Sequence, residues 1–424
     1  MIRLNSEMKP TAWFNDFLDS ASMVHKKLRH HTPRQILNTF INIVESRLSL
    51  PVLYSLPQTV DIALTRQCNL ACVYCKEYPT RGAKQISVDN FRKAAHMLFP
   101  TARQLTICTG GEPYLHRHLE DFLRIARGYR VQTLVLSNGM LLKEERIKSI
   151  VSEELITIHG FSVDGISPAT VEGIRRNVKL QRVLENINML MRVRNIQKKR
   201  KPVIVVRYVL MRSTVEELPE AVHYWGRMGI EELACNYLHR TNNIDRSESL
   251  YFHQDLTEQV FAEACQVARN YPQLTLTLPP LIRQRRGISN RLVSCRSPWD
   301  FVFVDTDGAV APCYSSTGIC MMGNLFAEEG GFRRIWNNSR YQDLRRTTND
   351  DRAKKHFSYC SVCQSRCGWG DIAVHLGDEV WFQHIDVDEE TRRRIVADRH
   401  RKPVRRMPSI RQDNGKRSDQ PLGS

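Results

Sequence analysis

Six short apolar runs, each followed by a polar turn, constrain this chain more than any other feature. The runs are Val60–Leu64, Leu105–Cys108, Val131–Leu136, Ile156–Val163, Val203–Leu210 and Glu231–Leu238. Between them lie Asp89–Leu98, Leu119–Arg127, Lys143–Val151, Ala169–Val193 and Thr214–Met228, whose apolar residues recur at helical spacing. Strand–helix steps in succession predict an α/β fold built on a parallel sheet with right-handed crossovers. Ligands of such sheets gather at the C-terminal ends of the strands. The first run ends in a loop carrying Cys68, Cys72 and Cys75 in a CxxxCxxC spacing, with Tyr74 before the last. The second enters Thr109-Gly110-Gly111-Glu112-Pro113, and the third ends at Ser137-Asn138-Gly139. The fourth ends at Ser162-Val163-Asp164-Gly165, the fifth near Arg207 and the sixth at Asn236-Tyr237. One polar turn after a strand is ordinary. Five on the rim that carries a thiol triplet predict a site.

Three clustered thiolates fill three corners of an iron–sulfur cube and leave one iron open to a ligand. Zinc is the alternative, because CxxC pairs also hold zinc, but it explains neither the missing fourth thiol nor the Gly-Gly-Glu-Pro turn. The 424 residues allow two or three domains. The chain has no apolar run of membrane-spanning length and no signal-peptide pattern, so a cytoplasmic location without a membrane partner is expected. There its twelve cysteines are ligands or bystanders rather than disulfides. The net charge of +17 is concentrated at the end: residues 391–424 hold eleven Lys/Arg against three Asp/Glu. That tail reads as a solvated, disordered segment rather than a nucleic-acid surface.

The expected divisions are a helical preface over 1–57, the alternating core over 58–240, a helical bridge over 241–290, a second thiol region over 291–388 and the basic tail over 389–424. The preface, with Phe40, Ile41, Ile43 and Val44 at helical spacing, is expected to pack on the core. In the thiol region Cys295 and Cys313 flank Phe301–Val304, an Asp-Gly turn and Ala309–Ala311, a β-hairpin pattern that draws two thiols together. Cys360, Cys363 and Cys367 follow. Zinc on these thiols stays open, since spacing alone does not separate it from iron. Cys108 and Cys235 read as small buried residues, and His159 as a satisfied interior histidine.

Over residues 59–240 the chain resembles the radical S-adenosylmethionine (SAM) superfamily, on Cys68/Cys72/Cys75 with Tyr74, Gly110–Pro113, Asn138-Gly139 and Ser162–Gly165. The thiol region resembles the SPASM/twitch extensions of such enzymes, on Cys295, Gly308, Cys313, Gly323-Asn324-Leu325, Trp336-Asn337 and the Cys360–Cys363 pair. The resemblance implies a partial (β/α)6 barrel with a [4Fe–4S] cluster at its mouth and SAM on the open iron. One electron would split SAM to a 5′-deoxyadenosyl radical that abstracts hydrogen from substrate. Tyr74 would lie beside the adenine. Gly110 and Gly111 would let backbone approach the methionine end, with Glu112 and Pro113 completing that turn. Asn138 and Ser162 would meet ribose or carboxylate. Arg175, Arg176 or Arg182 would pair with the carboxylate, Arg175 being the residue assigned to the site. Tyr237 and His239 would contact substrate or move a proton.

The shortened cysteine set implies one auxiliary [4Fe–4S] cluster, on Cys295, Cys313, Cys360 and Cys363, accepting an electron from the product radical. Cys367 would be a substitute or a spare. A flavodoxin- or ferredoxin-like reductant would be the external partner. The expected reaction is oxidation or rearrangement of a small polar metabolite such as an aminocyclitol or sugar. Modification of a ribosomal peptide is the alternative, set slightly lower because the preface is shorter than a leader-binding domain. A non-catalytic iron–sulfur or zinc-stabilised binding protein is the reading of another class.

Overall fold

The computed structural model describes residues 30–75, 84–238, 244–279, 281, 295–316 and 320–349, with the backbone of two further strands at 372–376 and 379–383. Six parallel strands lie side by side in the order β1 (Thr59–Ile62), β3 (Gln104–Ile107), β4 (Gln132–Ser137), β5 (Ile158–Ser162), β7 (Val203–Leu210) and β8 (Glu232–Tyr237). These are the six runs read from the sequence. Helices α2 (Val88–Leu98), α3 (Leu119–Gly128), α4 (Glu144–Ser152), α6 (Leu180–Ile196) and α7 (Leu218–Met228) cross over between them. Their starts and stops are local chemistry. Ser87 caps α2 by accepting from the Asn90 amide, and α7 stops where Gly229 turns left-handed at φ +84°.

The helix expected over Ala169–Val193 is broken. A short α5 (Pro168–Ile174) gives way to β6 (Arg175–Arg176), and α6 follows after Asn177 at φ +73°. Pairing causes the break: β6 bonds antiparallel to β2 (Ala71–Cys72) inside the cysteine loop, with Cys72 opposite Arg175.

The sheet continues past both ends of the six. Beyond β8 lies β9 (Thr275–Thr277), also parallel, reached through α8 (Gln254–Ala268). At the other edge β10 (Phe301–Val304), entered from the turn α9 (Ser297–Asp300), pairs parallel with β1, placing Asp61 opposite Phe303. Antiparallel β11 (Ala309–Ala311) and β12 (Gly323–Asn324) complete ten strands. The predicted hairpin is present, but its strands continue the main sheet. Helices α10 (Gly331–Trp336) and α11 (Ser339–Thr347) follow. The last two strands, β13 (Ile372–Leu376) and β14 (Glu379–Gln383), pair with each other.

Alternation along the strands separates two faces. Val60, Ile62, Leu105, Ile107, Val135, Phe161, Ile204, Val206, Leu233 and Tyr237 belong to one continuous buried core with the crossover helices. Leu134, Leu136, Ile158, Ser162, Arg207 and Asn236 point the other way and are half-buried or exposed. That second face lines the concave interior of the partial barrel.

The preface packs on the core, but with the opposite face from the one its apolar residues suggest. Helix α1 (Pro33–Arg47) buries Gln35, Asn38, Thr39, Asn42 and Glu45. It leaves Leu37 and Phe40 60% and 64% exposed. Backbone groups at the foot of the barrel explain the inversion. Asn38 exchanges hydrogen bonds with the Leu56 amide and carbonyl at 2.8 and 2.9 Å, Gln35 donates to the Tyr129 carbonyl at 3.0 Å, and Glu45 accepts from the Tyr54 amide at 2.7 Å. Buried peptide groups outside regular structure need partners more than the core needs another apolar side chain.

Candidate functional site

The loop carrying Cys68, Cys72 and Cys75 is held at the barrel mouth by the strand ends that follow it. From the turn after β3, the Gly111 amide donates to the Thr65 carbonyl and the Glu112 amide to the Gln67 carbonyl, both at 2.7 Å. From the end of β4, Asn138 Nδ2 donates to Asn69 Oδ1 at 2.8 Å. From the end of β5, Asp164 Oδ2 accepts from the Tyr74 hydroxyl at 2.6 Å. Strands β2 and β6 add main-chain pairing. On the side of the C-terminal hairpin, the Arg66 guanidinium grips Asp305 in two-toothed fashion.

The two glycines answer to this loop. A Cβ on Gly111 would lie 1.8 Å from the Gln67 carbonyl oxygen, and one on Gly110 would lie 2.7 Å from that of Thr65. Gly110 also sits at φ +103°, a conformation closed to most residues. Close approach of two protein loops therefore requires the pair, ahead of the approach of a ligand that the resemblance implied. Glu112 is likewise engaged: it accepts from the Ser137 hydroxyl and the Asn138 amide at 2.8 Å and caps the Tyr114 amide. Pro113 opens the short turn that follows.

Of the three candidate arginines, Arg175 sends its side chain onto the cysteine loop. Its Nε lies 2.8 Å from Asp164 Oδ2 and its Nη1 lies 3.8 Å from Cys72 Sγ, while Nη2 donates to the Tyr74 hydroxyl. Burial opposes its charge, but Asp164 and Tyr74 beside it hold it charged, above its ordinary value. Arg176 is exposed, and Arg182 stands at the start of α6 with Glu185 at 3.9 Å. The guanidinium of Arg175 is thus spent on Asp164 and Tyr74. Ser162 faces the interior from β5.

Tyr237 does not face substrate. It is buried among the crossover helices, its ring 6.3 Å from that of Phe261, because it falls on the convex phase of β8. Its neighbour Asn236 occupies the interior phase. His239 lies outside the described residues, as do Cys360, Cys363 and Cys367. Cys295 and Cys313 are half-buried. Asn349 clamps the Cys295 backbone from both sides, accepting its amide at 2.8 Å and donating to its carbonyl at 3.1 Å. Cys108 is not simply buried: it faces the interior and donates to Asp61 Oδ2 at 3.5 Å. His159 is interior as expected, with Nε2 2.8 Å from the Tyr114 hydroxyl.

Asp61 was silent in sequence reasoning, although a carboxylate inside an apolar strand was a visible signal. It is fully buried, and Thr109 donates to its Oδ2 at 2.6 Å. Its Oδ1 has no partner. Burial pushes its pKa up to about 7, although hydrogen bonds from Thr109, Cys108 and Tyr314 pull the other way. The folded-state value lies above the ordinary 3.8, so the acid's contribution to stability is fully present below 3.8 and is lost as pH rises through about 7. Asp61→Asn should therefore raise the melting temperature at pH 8 and flatten its decline between pH 5 and 8. An unchanged slope would mean that Asp61 does not titrate there.

The thiols suit an iron–sulfur cube. Burial pushes Cys68 up to about 11, and it raises Cys72 too, so both are protonated at neutral pH until a metal displaces the protons. Among the described residues no three Cys, His, Asp or Glu side chains converge on one ion position. A cube gives each of the three thiolates its own iron.

A parallel partial barrel with a pinned thiol loop at its mouth is an architecture for cluster chemistry. A profile of the radical SAM superfamily matches residues 62–224, and one of the iron–sulfur cluster-binding SPASM domain matches residues 295–368. Among curated proteins, the antilisterial bacteriocin subtilosin biosynthesis protein AlbA of Bacillus subtilis is 20% identical over 275 residues. That match covers 64% of this chain and 58% of AlbA, so the chain spans less than two thirds of that relative. PqqA peptide cyclase of Xanthomonas axonopodis pv. citri is 23% identical over 307 residues, covering 66% of this chain and 74% of the cyclase. Streptococcus suis SuiB bound to SAM shares the fold at a TM-score of 0.58 and 15% identity, over 79% of each chain. Residues 62–224 therefore carry a radical SAM domain and residues 295–368 a SPASM iron–sulfur domain. A [4Fe–4S] cluster, SAM and auxiliary iron–sulfur binding go with those two domains.

Proposed function

We propose that this chain is a radical SAM enzyme that modifies a peptide at an unactivated carbon. The observation that supports it most is the pinning of the Cys68–Cys75 loop by the ends of three successive strands, which holds three thiols rigidly beside an open interior. Peptides enter through the relatives: AlbA and PqqA peptide cyclase carry peptide products or substrates in their names, and SuiB was solved with its precursor peptide SuiA. A small-metabolite substrate is the second reading, favoured by 27% identity over 139 residues to GTP 3′,8-cyclase of Chlorobaculum tepidum.

Cys68, Cys72 and Cys75 would hold the cluster, and Cys295 and Cys313, with Cys360 and Cys363, an auxiliary one. The cluster and SAM supply a hydrogen-abstracting radical when bound. Asn138 would help to orient SAM at the rim. Arg175 acts as a positioning residue, fixing Tyr74 and Cys72 through Asp164. Arg176 or Arg182, both exposed, would then be the candidate cation for the SAM carboxylate. Leu134, Leu136, Ile158 and Val205 keep the interior apolar and exclude water from a reactive carbon.

Anaerobic reconstitution tests this reading. The reduced protein should form 5′-deoxyadenosine from SAM and bind about eight irons per chain. Cys72→Ala should bring SAM cleavage to background, whereas Cys363→Ala should keep cleavage and lose about half the iron. A fully loaded protein that yields no 5′-deoxyadenosine would sink the proposal.

A further inference from the structure

Arg207 stands on the interior phase of β7, in register with Ser162 on β5 and Ala234 on β8. Its guanidinium has no hydrogen-bond or ion-pair partner among the described residues, and neither has the Ser162 hydroxyl. The interior neighbours do not compensate the charge. Leu136, Val205 and Ala234 are apolar, and Glu232 accepts from the Thr277 hydroxyl at 3.0 Å. A half-buried cation among apolar side chains is costly unless an anion meets it.

Two further features place a ligand there. Gly160 interrupts β5 beside the arginine: a Cβ would come within 2.8 Å of Leu136 Cδ1 and 3.8 Å of Arg207 Cγ, so the arginine stem crosses the strand over a floor without a side chain. A glycine inside a strand commonly marks such close approach. Val209, the next interior residue of β7, packs against the same Ile174–Met211–Leu238 cluster as Val73 and Tyr74 of the cysteine loop. Arg207 therefore lies about 7 Å along the strand below the layer where the thiol loop closes the mouth.

We propose that Arg207, with the Ser162 hydroxyl beside it and Gly160 as its floor, binds an anionic group of the substrate, a carboxylate or phosphate carried near the reacting carbon. The subsite deepens the peptide-modifying reading and rests on it for the word substrate: an acidic side chain or chain terminus would fit.

The test uses the reconstituted, SAM-saturated holoenzyme, so that SAM fills its own positions. Malonate and inorganic phosphate are titrated calorimetrically at fixed ionic strength, with malonamide as the neutral control. Wild type should bind one anion per chain and ignore malonamide. Arg207→Leu should bind the anion roughly tenfold or more weakly, Arg207→Lys should recover part of the loss, and both should keep wild-type SAM affinity and iron content. No anion binding by wild type, or equal binding by wild type and Arg207→Leu, overturns the subsite. A loss of SAM affinity in Arg207→Leu also overturns it, by assigning the cation to SAM. Failure of the broader reading shows separately, as a loaded protein that makes no 5′-deoxyadenosine.

Discussion

Gly111→Ala should leave a protein that cannot be loaded with its first cluster. The new methyl carbon would lie 1.8 Å from the Gln67 carbonyl oxygen and 2.5 Å from the carbonyl carbon. Both contacts are backbone, so no rotamer change relieves them. Relief requires the two loops to part, which breaks the amide–carbonyl bonds from Gly111 and Glu112 to Thr65 and Gln67. Strain and lost bonds together place the cost at about 2–4 kcal/mol, concentrated where the three thiols must keep their spacing. Reconstituted Gly111→Ala should bind about four fewer irons per chain than wild type and show background SAM cleavage. Full iron loading would show that the cysteine loop tolerates displacement. Gly128→Ala is a suitable control, since nothing lies within 4 Å of a Cβ there.

Asp164→Ala should be the most destabilising substitution near the mouth. Asp164 is wholly buried, with Arg175 beside it, and it accepts from the Tyr74 hydroxyl and, at 2.9 Å, from the Val209 amide. Removing the carboxylate leaves a buried guanidinium uncompensated, a change that costs about 3–5 kcal/mol. Asp164→Asn keeps an acceptor for Val209 and should lose less. Pairing Asp164→Leu with Arg175→Leu removes both charges and should recover much of the loss in urea titrations. If the double variant is as unstable as Asp164→Ala, the cost comes from packing and not from the orphaned charge. Because Arg175 also lies 3.8 Å from Cys72 Sγ, Asp164→Asn should move the cluster's reduction potential in the positive direction.

The strands were legible because apolar runs of four to eight residues, separated by helical periodicity, leave a chain little choice. The thiol loop and the Gly-Gly-Glu-Pro turn were legible as a site because they share one rim. What period and spacing do not encode is which partner a polar side chain takes. Glu112 and Arg175 looked available to a cofactor, and each is consumed by a neighbouring strand end. The α5–α6 break was hidden because pairing with Ala71–Cys72, 103 residues away from Arg175 in sequence, overrides the local helical pattern. Tyr237 was misplaced by one step of a period-two pattern, which is enough to turn a side chain from lumen to core. The inverted burial of α1 defeats the usual rule outright, since its apolar residues advertise the wrong face.

The seam between β1 and β10 has a consequence for how such a protein can be divided. Thr59–Ile62 is paired residue for residue with Phe301–Val304 on one side, and Thr59–Asp61 with Gln104–Thr106 on the other. Cutting away everything after residue 294 would turn β1 from an interior strand into a bare edge, with apolar Val60 and Ile62 on a strand ready to pair with other chains. A truncated core would therefore be expected to aggregate before it could be assayed. The boundary that sequence profiles draw between the two halves is not a line along which this molecule comes apart.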